Sequence, residues 1–137
     1  MGRVFFNTRM NLDTGSLTNT TAYSMTEADS GKIFMVSGGT QAVTLLPAAD
    51  VPEGWNCRFM NSASPSGDKT LAAGSAMISG TCQDAGNGVG CGTDGTPVSN
   101  IIIEAAGQAG SFLDLFSDGT SYYFHANASQ DTAYTTT

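Results

Sequence analysis

Ser111-Phe112-Leu113-Asp114-Leu115-Phe116-Ser117-Asp118-Gly119-Thr120-Ser121-Tyr122-Tyr123-Phe124-His125-Ala126 decides the fold. Two aromatic-rich runs flank Asp118-Gly119, a dipeptide suited to a tight hairpin turn because it tolerates positive φ. Pairing outward from a two-residue turn sets Ser117 opposite Thr120, Leu115 opposite Tyr122 and Leu113 opposite Phe124. Side chains alternate along a strand. One face then carries Leu113, Leu115, Tyr122 and Phe124. The other carries Phe112, Phe116, Tyr123 and His125 around Asp114. A hairpin aromatic on both faces needs cover on both, one side from the core and the other from more of this chain or a neighbouring subunit. Phe112, Asp114, Phe116, Tyr123 and His125 are therefore the candidates for a subunit interface.

Working outward, residues 101–106 open with Ile101-Ile102-Ile103 and read as a strand. Residues 79–100 lack periodicity and read as one long surface loop rich in glycine. Trp55, Cys57 and Phe59 share one face of a strand over 55–61, with Asn56, Arg58 and Met60 on the other. Short strands fit 70–72 and 76–78. Residues 32–36 and 42–46 flank Ser37-Gly38-Gly39-Thr40 as a hairpin, and Pro47 ends the second run. Thr26-Glu27-Ala28-Asp29 closes one capped helical turn. Residues 1–22 form an N-terminal segment with an apolar patch, Arg3-Val4-Phe5-Phe6, which is either a docking arm or a loose terminus. Residues 129–137 read as a loose tail. The expected fold is all-β: one compact antiparallel β-sandwich or barrel over residues 23–128, with an extended N-terminal arm.

Composition agrees with that class. The chain has 137 residues, the length of one domain. Only 12% are charged, whereas 14 Ser, 17 Thr and 17 Gly fill the chain. The net charge of −7 excludes a nucleic-acid binder that works through a basic patch. No apolar run approaches the ~20 residues of a helical membrane span.

Chemistry-bearing residues are few. His125 is the one histidine. Asp114 lies diagonal to it in the two-residue register, and Ser111 or Ser121 would have to serve as nucleophile. Neither serine sits on a strand-to-helix elbow, and no Gly-x-Ser-x-Gly motif occurs. Glu104 and Asp114 are the candidate carboxylate pair for glycoside hydrolysis, but nothing fixes their separation. The expectation is a protein without catalytic residues, metal or cofactor. Cys57 shares the Trp55 face and behaves as a buried hydrophobe. Cys82 and Cys91 flank a glycine-rich stretch without metal-ligand spacing. A disulfide closing that loop, worth about 2–3 kcal/mol by loop entropy, and two free thiols are both compatible with the sequence. Asp84, Asn87 and Asp94 supply oxygen donors there but no EF-hand pattern.

The order of these motifs also carries a resemblance. Thr26-x-Ala28-Asp29-Ser30-Gly31-Lys32 precedes a strand, and Ala42-Val43-Thr44-Leu45-Leu46-Pro47 follows. Next come Gly54-x4-Phe59 with Asn61, then Thr70-Leu71-Ala72-Ala73-Gly74. Leu113-x-Leu115-Phe116-Ser117-Asp118-Gly119-Thr120-Ser121-Tyr122-Tyr123 closes the set. Over residues 26–126 the chain resembles the small β domains of tailed-bacteriophage virion proteins, which occur as capsid decoration (cement) proteins and within tail fibres. The 79–100 stretch departs from that pattern. The resemblance implies a protein made in the host cytoplasm and carried on the virion head surface, with no catalytic residues. It implies the major capsid protein and its own copies, as a homotrimer, for partners. A free-standing short domain with an arm fits decoration better than a fibre, which needs a shaft. Arg3, Val4, Phe5 and Phe6 are then the expected capsid contacts. The alternative is a tail-fibre or tail-tip module binding a host glycan, with Trp55, Tyr122 or Tyr123 as stacking platforms.

Overall fold

A computed structural model describes residues 14–18, 20–75, 77–84, 91–130 and 133–137. The larger sheet runs β1 (Thr14–Leu17), β3 (Ile33–Val36), β5 (Asn56–Asn61), β9 (Phe112–Ser117), β10 (Tyr122–Ala128), β7 (Ile78–Asp84). The smaller runs β11 (Tyr134–Thr136), β8 (Asn100–Ile103), β6 (Lys69–Ala72), β4 (Gln41–Thr44), β2 (Tyr23–Ser24). Among the described residues the protein is thus mostly β, with almost no helix. Alternation explains how both sheets share one core. Phe34, Val36, Cys57, Phe59, Leu113, Leu115, Tyr122 and Phe124 point inward from the larger sheet, and Val43, Leu71, Ile101 and Ile103 from the smaller. Trp55, on the loop before β5, is buried against Tyr122 with ring centroids 6.1 Å apart.

The sheets are mixed, which corrects the antiparallel expectation. Among the described residues, five of the nine strand pairings are parallel. From β1 to β6 the chain changes sheet at every step. Consequently β1, β3 and β5 stack parallel in one sheet, and β2, β4 and β6 in the other. The expected 37–40 hairpin is one of these crossings. Val36 and Gln41 lie in different sheets, and the loop bonds sideways: Ser37 N–H donates to Leu17 O (3.2 Å) and Ser66 N–H to Gly38 O (2.8 Å). Gly38 has φ +70°, and a Cβ there would run into the Thr18 carbonyl, so only glycine fits.

Strands also form outside residues 23–128. Residues 14–17, expected in the arm, supply β1, and Leu17 is buried. Tyr134, expected in a loose tail, is buried in β11 opposite Ile103. Within the 79–100 stretch, Ile78–Asp84 continues as a strand parallel to β10. Residues 1–13, with Arg3, Val4, Phe5 and Phe6, lie outside the described residues.

The C-terminal hairpin keeps its faces but not its register. Tyr122 pairs with Ser117 and Phe124 with Leu115, so the loop is four residues, 118–121. Gly119 has φ +86°, whereas Asp118 does not adopt positive φ as a two-residue Asp-Gly turn demands. Instead Asp118 Oδ1 accepts from Thr120 N–H (2.8 Å) and Ser121 N–H (2.7 Å). These bonds, backbone first, hold the Asp118 carboxyl down at about 2.

The capped turn at 26–29 is present and does more than close itself. Asp29 is buried, and its Oδ2 accepts from Thr26 N–H (2.7 Å) and Thr26 Oγ1 (3.1 Å). Its Oδ1 accepts from Lys32 Nζ (2.8 Å) and Tyr23 OH (3.1 Å). One inward position of β6 carries an ammonium: Lys69 is buried, donates to the Gly39 carbonyl, and has its pKa lowered by that burial.

Candidate docking face

Strand parity assembles the outer face of the six-stranded sheet. Reading across the pairings, Ser16, Met35, Met60, Phe112, Asn127 and Gln83 form one row. Ile33, Arg58, Asp114, His125 and Thr81 form the next. Asn56, Phe116, Tyr123 and Ser79 form the third. Ile33, Met35, Met60 and Phe112 are half-buried, and Phe116 and Tyr123 are 44% and 38% exposed. Apolar side chains from the first and third rows therefore flank Arg58 and Asp114.

The polar row is fixed. Arg58 Nε donates to Asp114 Oδ1 (2.6 Å) and Arg58 Nη2 to Asp114 Oδ2 (2.7 Å), a two-pronged pair with planar geometry. The guanidinium lies 4.5 Å over the Phe112 ring, which adds a cation–π contact. Bonding to Asp114 raises the pKa of Arg58 further. Phe116 and Tyr123 stack with centroids 6.1 Å apart and planes 21° apart. Tyr123 OH donates to Asp118 Oδ2 (3.1 Å), which ties the exposed ring to the hairpin loop. Beside Phe116 a hollow of about 430 Å³ is lined by Lys32, Asn56, Arg58 and Asp114.

The structure brings the five interface candidates together on this one face. It also adds Arg58, whose outward parity was readable although its partner was not. The catalytic combinations are not assembled. Asp114 is cross-strand partner to His125, yet both its oxygens are engaged by Arg58. His125 Nδ1 instead lies 3.4 Å from Thr81 Oγ1. Ser111 is buried and bonds Ser129 (2.7 Å), while Ser121 sits in the hairpin loop. Glu104 follows β8 of the smaller sheet and accepts from Thr135 Oγ1 (2.5 Å), whereas Asp114 is on β9 of the larger.

Cys82 and Cys91 are joined by a disulfide, with Cα atoms 5.1 Å apart. Cys57 is a free, buried thiol whose pKa is pushed up by burial. Asn87 and the Asp84 side chain lie outside the described residues, and Asp94 occupies a turn at φ 49°. Among the described residues no three His, Cys, Asp or Glu side chains converge to hold a metal ion. Nor is any helix among them long and apolar enough to cross a membrane. Of the glycan platforms expected from sequence, Trp55 and Tyr122 belong to the core, and only Tyr123 faces out. The physical reason is parity: Trp55 stands two residues before the inward Cys57, and Tyr122 two before the inward Phe124.

No protein-family model, no curated protein and no solved structure matches this chain.

Proposed function

We propose that this chain is a structural virion protein: a capsid decoration protein of the tailed-phage type that binds the outer head surface and stabilises the shell. Its partners are the major capsid protein and its own copies, as a homotrimer. In this reading the two sheets act as a β-sandwich clamp, with the larger sheet's outer face toward a protein partner and the 1–10 segment reaching across a subunit boundary. The observation that carries it is the set of exposed and half-buried apolar side chains that flank the paired Arg58 and Asp114 on the larger sheet's outer face. Repetition over many copies turns a modest interface into a stable shell.

Localisation tests it. A C-terminal tag imaged on intact particles should decorate the head in many copies, and deleting residues 1–10 should lower occupancy while leaving the fold intact. Label confined to the tail tip would overturn decoration. It would favour the second reading, a tail module binding a host glycan, which the exposed Phe116–Tyr123 stack beside a polar hollow supports.

A further inference from the structure

β7 is the last strand of the six-stranded sheet, and β10 occupies only one of its sides. An open strand edge presents unpaired N–H and C=O groups to any extended chain. Here residues 91–99 return along that edge. Ile78 N–H donates to Val98 O (3.0 Å), and Val98 N–H donates to Ile78 O (2.9 Å). Two residues on, Thr93 N–H donates to Gly80 O (3.1 Å) and Gly80 N–H donates to Thr93 Oγ1 (3.2 Å). Gly92 approaches so closely that a Cβ there would stand 3.1 Å from Gly80 O. Two residues further along the same edge, Cys82 is bonded to Cys91. Backbone groups of alternate residues point to the same side of a strand. Met77 N–H also donates to Val98 O (3.0 Å), so the edge is closed by three hydrogen bonds at Val98, two at Thr93 and then one covalent bond.

We propose that the Cys82–Cys91 disulfide is a redox latch on this edge. Oxidised, it holds residues 91–99 over β7. Reduced, it leaves residues 91–98 held on β7 and the preceding Met77 by five hydrogen bonds, two at Thr93 and three at Val98, and the edge opens from the Thr93 end. Opening needs a dithiol, which delivers two electrons and two protons. The S–S bond breaks, Cys82 and Cys91 each become a thiol, and the dithiol's own sulfurs form a disulfide. Cys57 cannot substitute as a partner, because it lies inside the core on a different strand.

Hydrogen exchange on the full-length protein tests the latch, measured oxidised, with dithiothreitol, and after reoxidation. Reduction is verified by the mass gain of two hydrogens. The Ile78, Thr93 and Val98 amides should exchange at least about tenfold faster when reduced and recover on reoxidation, while Leu113 and Phe124 stay protected. The double variant Cys82→Ser, Cys91→Ser should match the reduced protein with or without dithiothreitol. Unchanged exchange at Thr93 and Val98 would overturn the proposal. So would loss of protection across both sheets, since the bond would then hold the whole fold rather than one edge. Finding both thiols free to alkylation before reduction would overturn it as well.

Discussion

Asp29 shows how much one side chain settles. Burial alone raises a carboxyl pKa, but its bonds to Lys32, Thr26 and Tyr23 outweigh that and leave it below the usual value. A folded-state pKa below the unfolded one means that the stabilisation is complete above the ordinary carboxylate range. It is lost as pH falls through the folded value. Asp29→Asn should therefore cost about 2–4 kcal/mol at pH 7, since it removes one partner of a buried pair. Urea unfolding should show the variant and the parent converging as pH drops toward 2. Equal acid sensitivity in both would assign the effect to another group. Arg58→Ala is expected to cost less, about 1 kcal/mol, because the pair and its stack on Phe112 are partly exposed. The Thr26–Asp29 turn was legible because capping is local. Arg58–Asp114 was not, since it joins two strands whose adjacency only the topology supplies.

At the scale of elements, the C-terminal hairpin separates what a pattern tells from what it conceals. Its faces followed from alternation and survive the register change, because lengthening the loop by two residues keeps every side chain on its own side. The loop length was hidden, because Asp118 chose side-chain hydrogen bonding over positive φ. Carbon-13 titration should find the Asp118 carboxyl titrating near 2. Asp118→Ala should speed amide exchange at Thr120 and Ser121 without altering Leu113. Gly119→Ala should cost about 1 kcal/mol in urea unfolding, because φ is positive there. The parallel pairing left a signal in the text as well. Phe34-Met35-Val36-Ser37 and Phe59-Met60-Asn61-Ser62 share F-M-x-S, and the register sets Phe34 beside Phe59 with stacked rings 5.4 Å apart. A reading confined to neighbouring runs treats such a repeat as two unrelated strands.

For the whole molecule, all-β character and the face that Leu113, Leu115, Tyr122 and Phe124 share were legible from composition and alternation, whereas burial of Leu17, Cys82 and Tyr134 was not. The sheet assignment was not, because a short glycine-rich loop can either close a hairpin or cross a core. On the docking proposal, Phe116→Ala with Tyr123→Ala should weaken particle binding by at least about tenfold while leaving thermal unfolding nearly unchanged. A co-sedimentation assay measures the first and calorimetry the second. The strand order has a further consequence for biosynthesis. β5 needs β9 on one side, and β7 needs β10, yet β9 and β10 emerge from the ribosome long after both. Nascent chains stalled before Phe112 thus carry two strands awaiting partners, in a state prone to clump. The larger sheet can close only once residues 112–128 have been made.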